Sequence, residues 1–411
     1  MIHSVSELFE GACAKYLSGV DVPRVRSNQH EIGGLVKAGF KRHLGEPAGG
    51  EVLRFNASMA YVFDDDRLPE TAEAPVSWYD SRYIKENRGP EYRLYYPDNA
   101  VIENVQEGDL MVIAKRRDGT LMMLFTPADS SAEHQLRHLF GLPTLNTQFR
   151  VGTMPPTTLS LPLKLLLEDL GVPVIDASDA TNDLDLLLAR FPDAFPTTAI
   201  FSAFARGGIS LDPIEDPDRT LLEWLEREES LFRAYERHLV SQRLRDGFGE
   251  NGEDVDEFIG FSLSVQNRRK SRVGQAFENH LAEIFKTHRL QFEKGSSKRV
   301  TEPGSKPDFL FPSFKQYHDP AFPVSKLFLL GAKTSCKERW RQVLSEGKRL
   351  STKHIVTIEA PISPTQTDEM RRNQLQLVVP KPLQATFQPP QRTELQSLKD
   401  FVETVSKSQA Y

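Results

Sequence analysis

The chain has 411 residues, 39% of them hydrophobic, 26% charged and 9% aromatic, which predicts a globular protein of two or three domains and excludes a disordered one. No apolar run approaches the ~20 residues a membrane span needs, the start Met1-Ile2-His3-Ser4-Val5-Ser6-Glu7 has no signal-peptide character, and Cys13 and Cys336 form neither a zinc nor a disulfide pattern. A reducing cytoplasm and no membrane are therefore expected, and the net charge of −6 conceals basic stretches: nine Lys or Arg against three Glu from Gln266 to Arg299, and seven against two from Gly331 to Lys353.

Residues 1–150 predict a β-rich domain with a helix at each end. Leu53-Arg54-Phe55 and Arg93-Leu94-Tyr95-Tyr96 alternate, and Leu110 to Ala114 leads through Asp118-Gly119, a hairpin signal, into the returning strand Leu121 to Phe125. Thr153-Met154-Pro155-Pro156 interrupts regular structure because proline removes donors and restricts its neighbour. Leu161 to Leu170 predicts a short helix and Asp176 to Asp183 a polar turn, so 151–190 reads as a linker.

From 191 to 411 the pattern is helical, then α/β. Asp216-Pro217-Asp218 predicts a cap for a helix from about Arg219 to Arg245. A second helix is expected from about Arg272 to His288, with Phe277, Leu281, Ile284 and Phe285 on one stripe. Strands are expected at Asp308 to Phe311, Lys326 to Ala332, His354 to Ile358 and Leu375 to Val379, with a helix from about Lys337 to Leu350 between the second and third.

The chemistry concentrates on these strands. Pro307-Asp308 puts a carboxylate at the mouth of one apolar strand, and Lys333 ends another, where an ammonium is costly unless it finds charge or water. Glu346 follows on the next helix. Two carboxylates and an ammonium converging from two strands and a helix suit phosphodiester hydrolysis: Asp308 and Glu346 would hold Mg²⁺, and Lys333 would orient a water and stabilise developing charge. On spacing alone a strand-start Asp and a solvent-reaching Lys explain the same residues. Arg268, Arg269, Lys270 and Arg272 stand just before the expected helix start at about Arg272, a favourable place for phosphate, although charge runs are commonly solvated helix faces.

Longer motifs carry more weight. Asn267-Arg268-Arg269-Lys270-Ser271-Arg272-Val273-Gly274, Glu278, Lys306-Pro307-Asp308-Phe309-Leu310-Phe311-Pro312, Tyr317-His318-Asp319 and Lys333-Thr334-Ser335-Cys336-Lys337-Glu338-Arg339-Trp340-Arg341-Gln342 together resemble the EcoRII family of type II restriction endonucleases, from about Asp254 to Val379. More loosely, Trp78-Tyr79-Asp80-Ser81-Arg82 resembles that family's DNA-binding effector domain. The resemblance implies an N-terminal pseudobarrel effector domain and a C-terminal PD-(D/E)XK α/β core that cuts duplex DNA with Mg²⁺. It makes Asp308 and Lys333 the motif Asp and Lys, and Glu346 the acidic residue displaced from the strand position now occupied by Gly331. Tyr317 and Lys337 match accessory active-site positions, and Glu278 an upstream carboxylate able to approach the metal.

Lys337-Glu338-Arg339 resembles the segment with which relatives read CC:GG pairs, consistent with Arg or Lys donating to guanine and Glu accepting from cytosine N4. A CCWGG-like palindromic site is the expectation. Two-fold DNA symmetry is best met by a homodimer. The family also implies stimulation by a second DNA site and a cognate methyltransferase in the same cell, without a stable complex. In the N-terminal domain His30, Arg82, Lys85, Arg88 and Arg93 lie among tyrosines and are candidate DNA contacts, although strand tyrosines more often belong to the sheet. Two other readings stay open: a catalytically idle DNA-binding regulator and a structure-specific repair nuclease. His280 and His288 lack zinc-site spacing, and no glycine loop ends in Gly-Lys-Ser or Gly-Lys-Thr.

Overall fold

The structure is a computed structural model that describes residues 4–22, 30–84, 88–155, 159–172, 180–192 and 194–410. The chain divides into two compact units, one of residues 2–175 with 361–366, the other of 176–360 with 367–411.

The first unit runs α1 (Val5–Leu8), β1 (Phe9–Tyr16), β2 (Glu31–Ile32), α2 (Lys41–Leu44), β3 (Val52–Tyr61), β4 (Glu70–Asp80), β5 (Tyr92–Tyr95), α3 (Ala100–Glu103), β6 (Leu110–Arg116), β7 (Leu121–Thr126), α4 (Ser131–Phe140), β8 (Arg150–Val151) and α5 (Leu161–Asp169). Its eight strands form one mixed sheet in the order β2-β5-β4-β3-β7-β6-β1-β8, antiparallel except for the parallel β3–β7 pair. The central hairpin β6–β7 is apolar from Leu110 to Ala114 and from Leu121 to Phe125 because both its faces are covered. Met111, Ile113, Leu121, Met123 and Phe125 join one core, while Leu110, Val112, Ala114, Met122 and Leu124 join the other beneath α4 and α5. The turn needs Gly119 at φ 89°, and Asp118 accepts the Thr120 N–H at 2.9 Å.

The second unit holds α6 (Ala180–Arg190), α7 (Thr198–Arg206), α8 (Pro217–Asp246), α9 (Val255–Thr287), β9 (Phe309–Phe311), α10 (Phe314–His318), β10 (Phe328–Lys333), α11 (Trp340–Ser345), β11 (Lys353–Thr357), β12 (Leu375–Val378) and, around β12, α12 (Pro364–Arg372), α13 (Pro389–Arg392) and α14 (Leu398–Gln409). The sheet order is β12-β11-β10-β9, with β10, β11 and β12 parallel and β9 antiparallel to β10. Phe309 and Phe311 of β9 meet Phe285 of α9 edge-on with centroids 5.1 and 5.2 Å apart, and Phe311 meets Phe401 of α14 at 5.6 Å. Strand alternation then turns Leu310 and Asp308 to the opposite face.

Three boundaries differ from the sequence expectation. The stretch 151–190 carries β8 and two packed helices: Leu163 and Leu167 of α5 are core residues of the first unit, and Asp183 of α6, placed in a turn by its polarity, binds Arg227 of α8 through both its oxygens at 2.5 and 2.7 Å. Helix α9 begins at Val255, well before Arg272, because Asp254 caps it by accepting the Glu257 N–H at 2.8 Å. Helix α11 spans only Trp340–Ser345, since Lys337 at φ 31° and Gly347 at φ 58° bracket it.

Candidate active site

Asp308 and Lys333 meet on one face of the second sheet, within electrostatic reach of Glu346. In the β9–β10 ladder Leu330 pairs with Phe309, so the next step sets Asp308 opposite Gly331, with Lys333 two residues on and on the same face. Asp308 Oδ2 accepts hydrogen bonds from Lys333 Nζ and from the Ala332 N–H, both at 2.7 Å. The two side chains keep 17% and 21% of their exposure, so the pair is sheltered yet open to a ligand.

Gly331 explains why the third acidic group comes from elsewhere. A Cβ at position 331 would stand 2.6 Å from Val343 Cγ2, so α11 already fills the space a strand carboxylate would need. That close approach carries Glu346, the residue closing α11, toward Asp308. The sequence placed Glu346 within a helix; it is the C-cap, in extended backbone at φ −88° and ψ 152°. Burial, reinforced by the charge of Asp308 and opposed by Lys333 and Lys353, pushes the Glu346 carboxyl up to about 7.

Two carboxylates within electrostatic reach of one another would suit Mg²⁺, which binds through one or two carboxylates and keeps water and phosphate oxygens as its other ligands. The Glu346 carboxyl is raised by burial first and by the Asp308 charge second, and a cation bound there would favour its ionised form. No cluster of three or more His, Cys, Asp or Glu with metal-binding geometry occurs among the described residues. Glu278, on α9, pairs with Lys294 at 2.7 Å.

Tyr317 of α10 is only 4% exposed, and its hydroxyl donates to Glu302 Oε1 at 2.5 Å while accepting the Arg349 N–H at 3.2 Å. Burial first, and the Glu302 bond next, push this phenol up to about 12. Lys337 occupies the turn after β10, where the buried Glu359 accepts the N–H groups of Cys336 and Lys337, the latter at 3.3 Å. Glu338 and Arg339 are exposed beyond it. Sequence reasoning missed Glu302, Lys353, Arg349 and Glu359. Glu302, Arg349 and Glu359 act on segments distant along the chain, Lys353 reaches back to Leu344 and Glu346, and no local motif announces them.

The expected phosphate clamp is corrected. Arg268, Arg269, Lys270 and Arg272 lie in the middle of α9, whose backbone N–H groups are already spent within the helix. Arg272 is buried and binds Glu228 of α8 at 2.9 Å and also Glu229; Arg269 binds Glu236 at 2.6 Å, and Arg268 lies over the Phe195 ring at 4.9 Å. The side chain of Lys270 lies outside what the structure describes.

In the first unit His30 is buried against Tyr95 and Tyr96 and its Nε2 lies 3.2 Å from Asp98. Arg82 and Arg93 both bind Glu91, Arg82 at 2.5 Å, and Arg88 is exposed. Lys85 lies outside the described residues. No helix among the described residues is long and apolar enough to cross a membrane.

Residues 232–402 match the family model described as EcoRII C terminal. Over 187 residues, 46% of this chain, the sequence is 42% identical to the type II restriction enzyme EcoRII of Escherichia coli. The match takes in 45% of that protein, so the chain spans less than half of the relative's length. Among solved structures, similarity extends to metal-depleted Ecl18kI in complex with uncleaved, modified DNA, 16% identical with TM-score 0.45, covering 56% of this chain and 85% of that one. It extends also to the PspGI restriction endonuclease–substrate DNA complex, 18% identical with TM-score 0.43, covering 53% and 94%. Asp308, Lys333 and Glu346 all fall inside residues 232–402, the stretch that matches the family model described as EcoRII C terminal.

Proposed function

We propose that the protein is a Mg²⁺-dependent type II restriction endonuclease that cuts both strands of DNA at a CCWGG-like palindrome. The observation that carries this reading is the Asp308–Lys333 pair at 2.7 Å, with the Glu346 carboxyl within electrostatic reach of the same Asp. Asp308 and Glu346 would hold the cation. When bound, Mg²⁺ polarises a phosphoryl oxygen and acidifies a water. Lys333 holds that water by its ammonium and offsets charge on the phosphorane-like transition state. Lys337, Glu338 and Arg339, displayed on the turn after β10, would read the CC:GG pairs in the major groove.

The wider reading rests on the family. Residues 191–411 would form the PD-(D/E)XK catalytic domain, acting as a homodimer on the palindrome. Residues 1–150 would form a pseudobarrel effector domain that binds a second DNA site and so stimulates cleavage. There Arg88 is exposed, whereas a phosphate would have to compete with Glu91 for Arg82 and Arg93. A cytoplasmic location beside a cognate methyltransferase completes the proposal.

The test is incubation of the full chain with Mg²⁺ and a plasmid bearing several CCWGG sites, beside Asp308→Asn. Fragments mapping to those sites with wild type, and a rate lower by roughly a hundredfold or more in the variant, are expected. Fragments at other sites would reject the recognition reading. Tight binding without cleavage would favour the idle regulator.

A further inference from the structure

The segment that carries Glu346 has no regular structure of its own to hold it, because α11 stops at Ser345 and β11 starts at Lys353. Its backbone donors converge instead on one side chain and its partner. Glu302, in the loop before β9, accepts the Gly347 N–H on Oε2 at 3.0 Å and the Lys348 N–H on Oε1 at 2.8 Å. The third successive N–H, of Arg349, goes to the Tyr317 hydroxyl at 3.2 Å, and that hydroxyl donates to Glu302 Oε1 at 2.5 Å. The Arg349 guanidinium closes the ring by donating to the carbonyls of Gln316 at 3.2 Å and Asp319 at 2.7 Å around the end of α10.

We propose that Glu302 is a positioning residue for Glu346: it fixes the backbone immediately after Glu346 and so aims that carboxylate at the Asp308–Lys333 pair, and Tyr317 acts through Glu302, not on DNA. The argument is geometric. A carboxylate accepting several N–H and O–H donors forms charge-assisted bonds, which are shorter and stronger than neutral ones. Tyr317 is 4% exposed and its hydroxyl is doubly engaged, so it has no free donor to offer a phosphate. The inference rests on the reading of Asp308, Lys333 and Glu346 as the cation and hydrolysis site.

The test uses the full chain and Mn²⁺ as the probe, with binding followed by the loss of the free-ion electron paramagnetic resonance signal. Glu302→Gln keeps the shape but turns an amide N–H₂ toward backbone donors. It is expected to weaken Mn²⁺ binding about tenfold and to raise the Mg²⁺ concentration for half-maximal cleavage by a similar factor. KM for DNA stays unchanged. Tyr317→Phe is expected to weaken Mn²⁺ binding about threefold, and the double variant no more than Glu302→Gln alone, because both act through one network. Should Glu302→Gln fail to fold, Glu302→Asp and Tyr317→Phe carry the same comparison with smaller effects. Unchanged Mn²⁺ affinity and unchanged Mg²⁺ dependence would overturn the positioning role. If instead wild type does not cleave, or Asp308→Asn binds Mn²⁺ as wild type does, the hydrolysis reading itself falls.

Discussion

The second unit contains two clusters of sheltered charge that do opposite things. Between α8 and α9, Arg272 is enclosed by Glu228 and Glu229, and Arg269 meets Glu236, so each cation is matched with carboxylates and held there. At the edge of the sheet, Asp308 and Glu346 confront Lys333, and the Glu346 carboxyl is pushed up to about 7 by burial and by its acidic neighbour. The first arrangement joins two helices. The second sets a raised carboxyl within reach of the Asp308 charge, and there the proposed cation would bind. The partners that a charge meets in space distinguish these two clusters, and the density of Lys and Arg in the sequence does not.

Substitutions can sharpen or break this contrast. The largest effect is expected for Asp308→Asn, where cleavage falls by roughly a hundredfold or more while metal-free stability stays within about 1 kcal/mol, because the amide oxygen can still accept the Ala332 N–H. A large loss of stability on urea denaturation would show that this pair is itself a brace. Arg272→Ala should do the reverse. It strands buried Glu228 beside Glu229 and is expected to cost about 3 to 5 kcal/mol in the same measurement; a cost under 1 kcal/mol would remove the distinction.

His354 of β11 provides a third kind of buried group, one kept neutral. It lies between the rings of Phe328 and Phe401, at 5.9 and 5.1 Å, and burial pulls its imidazole from 6.5 down to about 4. Its folded pKa lies below the unfolded one, so its contribution to stability is full above about 6.5 and is lost as pH falls toward about 4. Stability measured from pH 7 to 4 should therefore fall by about 2 to 3 kcal/mol more in wild type than in His354→Leu. Parallel pH curves would refute the assignment. The smallest effect is expected for Gly331→Glu, which restores a strand carboxylate: the clash with Val343 should cost about 1 to 3 kcal/mol and displace α11, reducing cleavage. Enhanced cleavage in that variant would show that α11 can yield and that the displaced Glu346 is dispensable.

Much of the second unit was legible because its strands are short apolar runs bounded by polar turns. Asp308 and Lys333 stood out because a charge at the end of such a run must be accommodated by a partner, water or a ligand. The start of α9 was missed although Asp254 is an ordinary N-cap, because the apolar stripe nearer Phe277 is stronger than the one nearer Phe258, where Val255, Phe258 and Ile259 remain exposed. Arg272 read as a phosphate ligand because a basic run looks alike whether its partners are phosphates or the carboxylates of a helix some forty residues earlier.

By itself, the sequence determined the alternation of strands and helices, the hairpin at Asp118-Gly119, the Asp and Lys at the strand ends, and the resemblance of about Asp254 to Val379 to the EcoRII family. These depend on local pattern or on motif order. Tertiary structure alone decided that Val343 excludes a side chain at 331, that Glu346 comes to Asp308 from the end of α11, that Glu302 gathers the donors behind it, and that Arg272 is spent on Glu228 and Glu229. Each of these depends on a distance between residues far apart in the chain, and electrostatic and steric energies are set by that distance, not by spacing along the sequence.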